Sequence, residues 1–204
     1  MTRVLLIGFG PFPGAPVNPS ASLVKKLARK RRPAFAALDI STHVFATAYA
    51  AVDHDLPKLL AAKPDIVLIF GLAARRRQLC IETRAHNAVS LLFPDARGFR
   101  PPHGVIARGQ PSSRYGNAPF MRLLSAARSR TIPVRLSRDA GRYLCNYAYW
   151  RALERRGGAL VQFVHIPSAR LEPRRRSRRP LPSLAALTDA AEAILLALVA
   201  ASRR

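Results

Sequence analysis

Short apolar runs alternate with stretches of helical periodicity along almost the whole chain. Residues 4–8 form a compact apolar run closed by glycine and proline, the pattern of a buried parallel strand. A Gly/Pro-rich loop follows over 9–19. A helix is expected from Pro19, with Asn18 as its cap and Leu23, Val24 and Leu27 on one side. Residues 38–47 read as a second strand, 52–62 as a second helix, and 66–70, after the break at Pro64, as a third buried strand. Residues 79–92 are β-like, with no glycine or proline to interrupt them. Residues 94–114, rich in Gly, Pro, Arg and Ser, predict a long surface excursion. Structureless stretches beyond about 12–15 residues are usually functional or disordered. Further on, the pattern predicts a helix over 118–129, a strand over 133–137, a helix over 145–156 and an apolar strand over 160–166 ended by Pro167. A basic loop over 170–182 leads to a last helix over 184–202, apolar nearly all round apart from Asp189 and Glu192.

Strand–helix alternation of this kind predicts an α/β fold, a three-layer α/β/α sandwich around a mostly parallel twisted sheet. In such sheets ligands bind at the carboxyl ends of the strands. The length, 204 residues, suits a single domain over 1–204, and an apolar share of 49% is enough for a sizeable core. Met1 runs directly into the first strand, and the longest apolar stretch, 193–201, is shorter than the roughly 20 residues of a membrane span. The expectation is a cytoplasmic protein with no membrane partner. Two cysteines, Cys80 and Cys145, make no disulfide framework, which fits a reducing compartment.

The charge balance is unusual: 34 Lys and Arg against 11 Asp and Glu leave a net charge of +23, and only five of the cations are lysines. Such a balance raises the expectation of phosphate-backbone contact. The arginines, however, are spread along the chain, with clusters at 29–32, 75–77 and 174–179. No zinc-knuckle spacing or RRM-type aromatic signature accompanies them. A solvated basic surface is the expectation, with non-specific nucleic-acid adhesion as a side effect.

Candidate chemistry gathers at strand ends. In 134–150 an apolar strand gives way to Asp139, Ala140 and Gly141, and a helix begins around Cys145. A thiol there faces unpaired backbone N–H groups and the positive end of the helix dipole, which favour thiolate and can hold an oxyanion. Cys80, inside the β-like run, reads as packing. Of five histidines, His165 ends the apolar strand 160–166, at the edge where parallel sheets collect their sites. An imidazole acting as base wants an acceptor on its other nitrogen. Glu82 alone among the carboxylates lies inside an apolar run, where it must be paired. Arg84, two residues on, shares its strand face, so a structural salt bridge and an orienting role both remain open. Neither histidine nor cysteine spacing suggests zinc, and no cofactor is implied.

Five segments, in order, carry a family likeness: GFGPFPG with the following NPS (8–14 and 18–20), PDIVLIFGLA (64–73), IETRAHN (81–87), AGRYLCN (140–146) and FVHIP (163–167). Through them the chain resembles the pyroglutamyl peptidase I (pyrrolidone carboxyl peptidase) family of cysteine peptidases, nearly end to end. The resemblance implies a Cys145–His165–Glu82 triad and the same three-layer fold. It implies aromatic walls for a pyrrolidone ring at Phe9 and Phe12, with Phe93 and Leu144 nearby. It also shows departures. Leu72 stands where the family usually has glutamine, although its backbone can still hydrogen-bond a lactam. Leu92, followed by Phe93 and Pro94, stands where the family has an arginine beside the substrate. Ala74 and Arg75 replace a glycine pair. A lost oxyanion-type donor typically costs roughly 100- to 1000-fold in rate, unless Arg75, Arg76 or Arg97 replaces it. The implied function is removal of an N-terminal pyroglutamyl, or similar blocked or cyclic, residue from a small peptide. The alternatives are a related peptidase acting on another small N-terminal group, and an impaired homologue that binds nucleic acid or acidic surfaces. The apolar last helix and the family's habit suggest a homo-oligomer.

Overall fold

The computed structural model describes residues 1–128, 130–170 and 181–203. The basic cluster at 174–179 therefore lies outside the described residues. Six strands form the main sheet in the order β2 (Leu38–Phe45), β1 (Thr2–Phe9), β3 (Ile66–Leu72), β8 (Leu160–Ile166), β4 (Leu79–Glu82), β7 (Val134–Ser137). The first four are mutually parallel. β4 runs antiparallel to β8 and parallel to β7, so one edge of the sheet is reversed.

Alternation along the strands sets the layers. In β1, Val4 and Leu6 face α1 (Pro19–Ala28), α3 (Phe120–Arg128) and α5 (Leu184–Ser202), whereas Leu5, Ile7 and Phe9 face α2 (Tyr49–Ala61) and α4 (Leu144–Glu154). The same parity puts Ile66, Leu68 and Phe70 of β3 on the first side and Val67 and Ile69 on the second. In β8 the split is Val164 and Ile166 against Val161 and Phe163, and in β4 Leu79 and Ile81 lie on the first side. Gly71, Glu82 and His165 thereby share the sheet face covered by α4.

Helix starts mix local and distant causes. Asn18 caps α1 by accepting from Ser20 N at 3.1 Å, with Pro19 in the first turn, as the sequence predicts. At Gly8 a Cβ would stand 2.8 Å from Ser20 O, so glycine lets α1 approach β1. The residue before α2 is Ala48, which offers no side-chain cap; Asp95, from the surface excursion, accepts from Tyr49 N at 3.0 Å instead. That distant cap explains why α2 begins at Tyr49, three residues earlier than its apolar pattern indicates.

The β-like run 79–92 divides. At Thr83 the chain leaves the main sheet, and β5 (Arg84–His86) pairs antiparallel with β6 (Ser113–Tyr115) in a separate ribbon. The excursion is thus closed at its base. Asn87 ties it internally: its Oδ1 accepts from Ile106 N and Ala107 N at 3.0 and 2.9 Å. Asn146 of α4, fully buried, pins its start by bonding His86 N, His86 O and Ala88 O at 2.8, 2.8 and 2.9 Å.

α5 is long and apolar enough, by length and composition, to cross a membrane. Leu187, Ile194, Leu195 and Leu198 are nonetheless fully buried in the core.

Candidate active site

Glu82 ends β4 with no exposed surface, a position that demands partners for a carboxylate. It has two, both on Oε1: His165 Nδ1 at 2.8 Å and Arg76 Nη1 at 2.6 Å. Arg84, the neighbour on its strand, instead donates from Nε to Arg138 O at 3.0 Å. The salt bridge that the sequence left open therefore exists, but with Arg76, and it coexists with the histidine contact. Arg76 also donates from Nη2 to Asp139 O at 2.7 Å, which joins Glu82 to the turn before α4. Glu82 Oε2 is buried with no hydrogen-bond partner among the described residues.

His165 is 5% exposed near the end of β8. With Nδ1 engaged by Glu82, its remaining ring nitrogen is left for the cavity, which His165 and Cys145 line together. Cys145 lies in the first turn of α4, reached through a turn in which Gly141 has φ +78° and its N–H donates to Asp139 Oδ1 at 2.9 Å. Tyr143, the residue before the helix, makes no side-chain cap, so the first N–H groups of α4 have no cap acceptor. Gly71 pairs in register with His165, and a Cβ on it would stand 2.7 Å from Cys145 Sγ. The sulfur thus sits directly over the strand beside the histidine.

Burial pushes the Cys145 thiol up to about 12, and the negative charge of Glu82 adds to the shift; Arg76 and the cysteine's own backbone N–H oppose it. The N–H groups at the helix start favour thiolate, as the sequence leads one to expect, but burial and Glu82 outweigh them. The resting thiol is neutral and needs a base. Cys80, the other free cysteine, is fully buried, with Arg135 Nε 3.5 Å from its sulfur.

The cavity measures about 300 Å³. Phe9, Phe12, Leu72 and Leu144 all line it, as do Arg76 and Tyr143. Phe9 is 2% exposed and packs on Phe45 and Phe163 with ring centroids 5.7 and 6.4 Å apart, so it is both core and wall. Phe12 faces Tyr143 at 6.1 Å. Asn18 Nδ2 and Thr47 Oγ1 each donate to Gly10 O at 3.0 Å and hold the Phe-bearing loop in place. Phe93 is not part of this wall. It is 63% exposed and lines a neighbouring groove with Leu91 and Leu92. The resemblance implies Phe93 close to the ring, but the loop that carries it turns outward there. Leu92 is also outside the cavity. Of the three arginines considered as substitutes for the missing one, Arg76 reaches the cavity, whereas Arg75 and Arg97 are exposed and outside its lining. Tyr143 carried no signal in the sequence beyond its closeness to Cys145. Among the described residues no three His, Cys, Asp or Glu side chains are grouped to hold a metal ion.

Known proteins share both sequence and fold with this chain. The family described as pyroglutamyl peptidase matches residues 2–204. The pyrrolidone-carboxylate peptidase of Clavibacter michiganensis is 34% identical over 171 residues, 82% of this chain and 79% of that protein. Its counterpart from Thermococcus onnurineus is 30% identical over 170 residues, 81% of this chain and 83% of its own. The crystal structure of Bacillus amyloliquefaciens pyroglutamyl peptidase I superposes with a TM-score of 0.83 at 28% identity, covering 100% of this chain and 98% of that one. Pyrrolidone carboxyl peptidase from Thermococcus litoralis gives 0.87 at 25% identity, covering 98% and 94%.

Proposed function

The chain belongs to the pyroglutamyl peptidase family and is a cysteine-type omega-peptidase; on that premise we propose that it removes N-terminal pyroglutamyl residues from small peptides, with Cys145 as nucleophile, His165 as base and Glu82 as the group that orients the histidine. The observation that carries this reading is the 2.8 Å contact between fully buried Glu82 and His165, in a cavity shared with Cys145.

The steps follow from the groups present. His165 takes the Sγ proton as the sulfur attacks the carbonyl carbon that follows the pyrrolidone ring. The uncapped N–H groups at the start of α4 hold the oxyanion. His165 then gives its proton to the leaving amine, and the C–N bond breaks to leave a thioester. Water, deprotonated by His165, attacks the thioester; pyroglutamic acid departs and the thiol is restored. Glu82 holds the imidazole through Nδ1 and stabilises its cationic form.

The wall chemistry fits a flat, uncharged lactam. Phe9, Phe12, Leu72 and Leu144 offer apolar surface, and no Asp or Glu is among the cavity's described lining residues. A free N-terminal ammonium would lose its hydration there without a counter-charge. A binding protein that had lost activity would have no use for a buried carboxylate joined to a histidine beside a thiol. A nucleophilic thiol must stay reduced, so a cytoplasmic setting fits it. Self-association draws no support from α5, whose large apolar residues are buried or half-buried within the chain.

The test is release of a fluorogenic amine from a pyroglutamyl substrate in reducing buffer. Cys145→Ala should lower kcat by at least about 10⁴-fold. Glu82→Gln, which keeps the shape but loses the charge, should lower it roughly 10²- to 10⁴-fold. A folded wild-type protein that releases nothing sinks the assignment.

A further inference from the structure

The active-site cavity has a neighbour. A groove of about 560 Å³ runs beside it and shares two wall residues with it, Arg142 and Tyr143. These immediately precede the Leu144–Cys145 start of α4. The rest of the groove's wall includes Leu91, Leu92 and Phe93, which are 49%, 77% and 63% exposed. This is an apolar strip on a surface otherwise dominated by arginine. Two fastenings hold the strip against the nucleophile's helix: Ser90 N donates to Arg142 O, and Tyr143 Oη donates to Pro94 O at 2.8 Å. The strip is thus a built wall next to the reacting sulfur.

Charge at the junction is one-sided. Arg142 is exposed, and among the described residues its guanidinium has no hydrogen bond or ion pair. Neither cavity has an Asp or Glu among its described lining residues. Arg76, by contrast, is committed to Glu82 and Asp139.

We propose that this groove receives the leaving part of the peptide, and that Arg142 binds a carboxylate on it. The inference rests on the pyroglutamyl-peptidase reading and adds a substrate class. The preferred substrate is a short pyroglutamyl peptide whose second residue is apolar and carries the free C-terminal carboxylate. The pyrrolidone ring fills the smaller cavity, and the second residue's side chain lies on Leu91, Leu92 and Phe93. Its carboxylate meets the uncommitted guanidinium. The C–N bond broken in the reaction lies at the junction, and the released amino acid leaves along the groove.

The test compares pyroglutamyl-phenylalanine with its C-terminal amide and with pyroglutamyl-glycine. Wild type should favour the acid over the amide by about fivefold in kcat/KM, expressed mainly in KM, as expected for a solvent-accessible ion pair. It should favour phenylalanine over glycine by at least a similar factor, since an aromatic side chain loses apolar area to the strip. In Arg142→Gln the acid and amide should become equal, and Arg142→Lys should restore part of the preference. In roughly 0.5 M salt the wild-type preference should shrink. Equal use of acid and amide by wild type, or a preference that survives Arg142→Gln, overturns the proposal while leaving the pyroglutamyl reading intact. Absence of turnover on every pyroglutamyl compound overturns that reading instead. Calorimetric binding of the acid and the amide to Cys145→Ala supplies a readout independent of turnover: carboxylate-selective binding that Arg142→Gln abolishes supports the groove, and equal binding rejects it.

Discussion

The Cys145 thiol is under opposing influences, and burial prevails. A helix N-terminus and the guanidinium of Arg76 favour thiolate, yet burial and Glu82 push the group up to about 12. An unfolded cysteine titrates near 8.5. Between these values the unfolded chain has lost a proton that the folded chain keeps, so the folded state binds more protons and stability falls as pH rises. The contribution is intact below about pH 8.5 and declines by up to ~1.4 kcal/mol per pH unit above it. Urea midpoints between about pH 8 and about pH 10 should therefore drop more steeply in wild type than in Cys145→Ala. Parallel curves would show that burial has not raised the thiol. In the proposed mechanism, a neutral resting thiol makes His165 a base that acts within the step. Glu82 supports that role, and its single shared oxygen ties His165 to Arg76.

At the level of elements, strand parity explains why the three candidate residues meet. His165 lies in step with Val161 and Phe163, and Glu82 is one residue out of step with Ile81, so both face α4. Gly71 supplies the space. A Cβ there would stand 2.7 Å from both Cys145 Sγ and Phe163 Cζ. Gly71→Ala should cost roughly 1–3 kcal/mol through overpacking. It should also lower kcat by about 100-fold, because a displacement of about 1 Å at the nucleophile is enough for that. Thermal unfolding and single-turnover kinetics on the same preparation separate the two effects. Normal kcat in a folded Gly71→Ala protein would show that the sulfur does not depend on this space. Periodicity could place β8 and α4 but not the end of β4. The run 79–92 keeps its β-like character past Thr83, where only competition between two sheets decides that the chain leaves.

Across the whole molecule, cations outnumber anions by 23. Some are used in packing: Lys30, just after α1, reaches α5 through Asp189 at 2.6 Å and through Glu192, and Arg32 reaches Glu192 at 3.0 Å. With 11 carboxylates in the chain most arginines have no counter-charge. Self-repulsion of this kind disfavours the compact state, and salt screens it over about a Debye length. Stability should therefore rise by about 1 kcal/mol or more between roughly 0.02 and 0.3 M sodium chloride. Denaturant midpoints read this directly, and a flat response would mean that the charges are spaced beyond mutual influence.

The alternation of strands and helices, the Asn18 cap, and the nomination of Cys145, His165 and Glu82 were legible in the sequence. Each rests on near neighbours: apolar period, the residue before a helix, a polar group out of place in an apolar run. Contacts between distant residues were not legible. Arg76 as the partner of Glu82, Asp95 as the cap of α2 and the reversal of β4 all depend on which segments come together in space. So do the outward turn at Phe93 and the protonated state of Cys145, because exposure and electrostatics are set by everything packed around a group. Local sequence therefore nominated the candidate reactive side chains, and tertiary packing decided their partners, their ionisation and the surface around them.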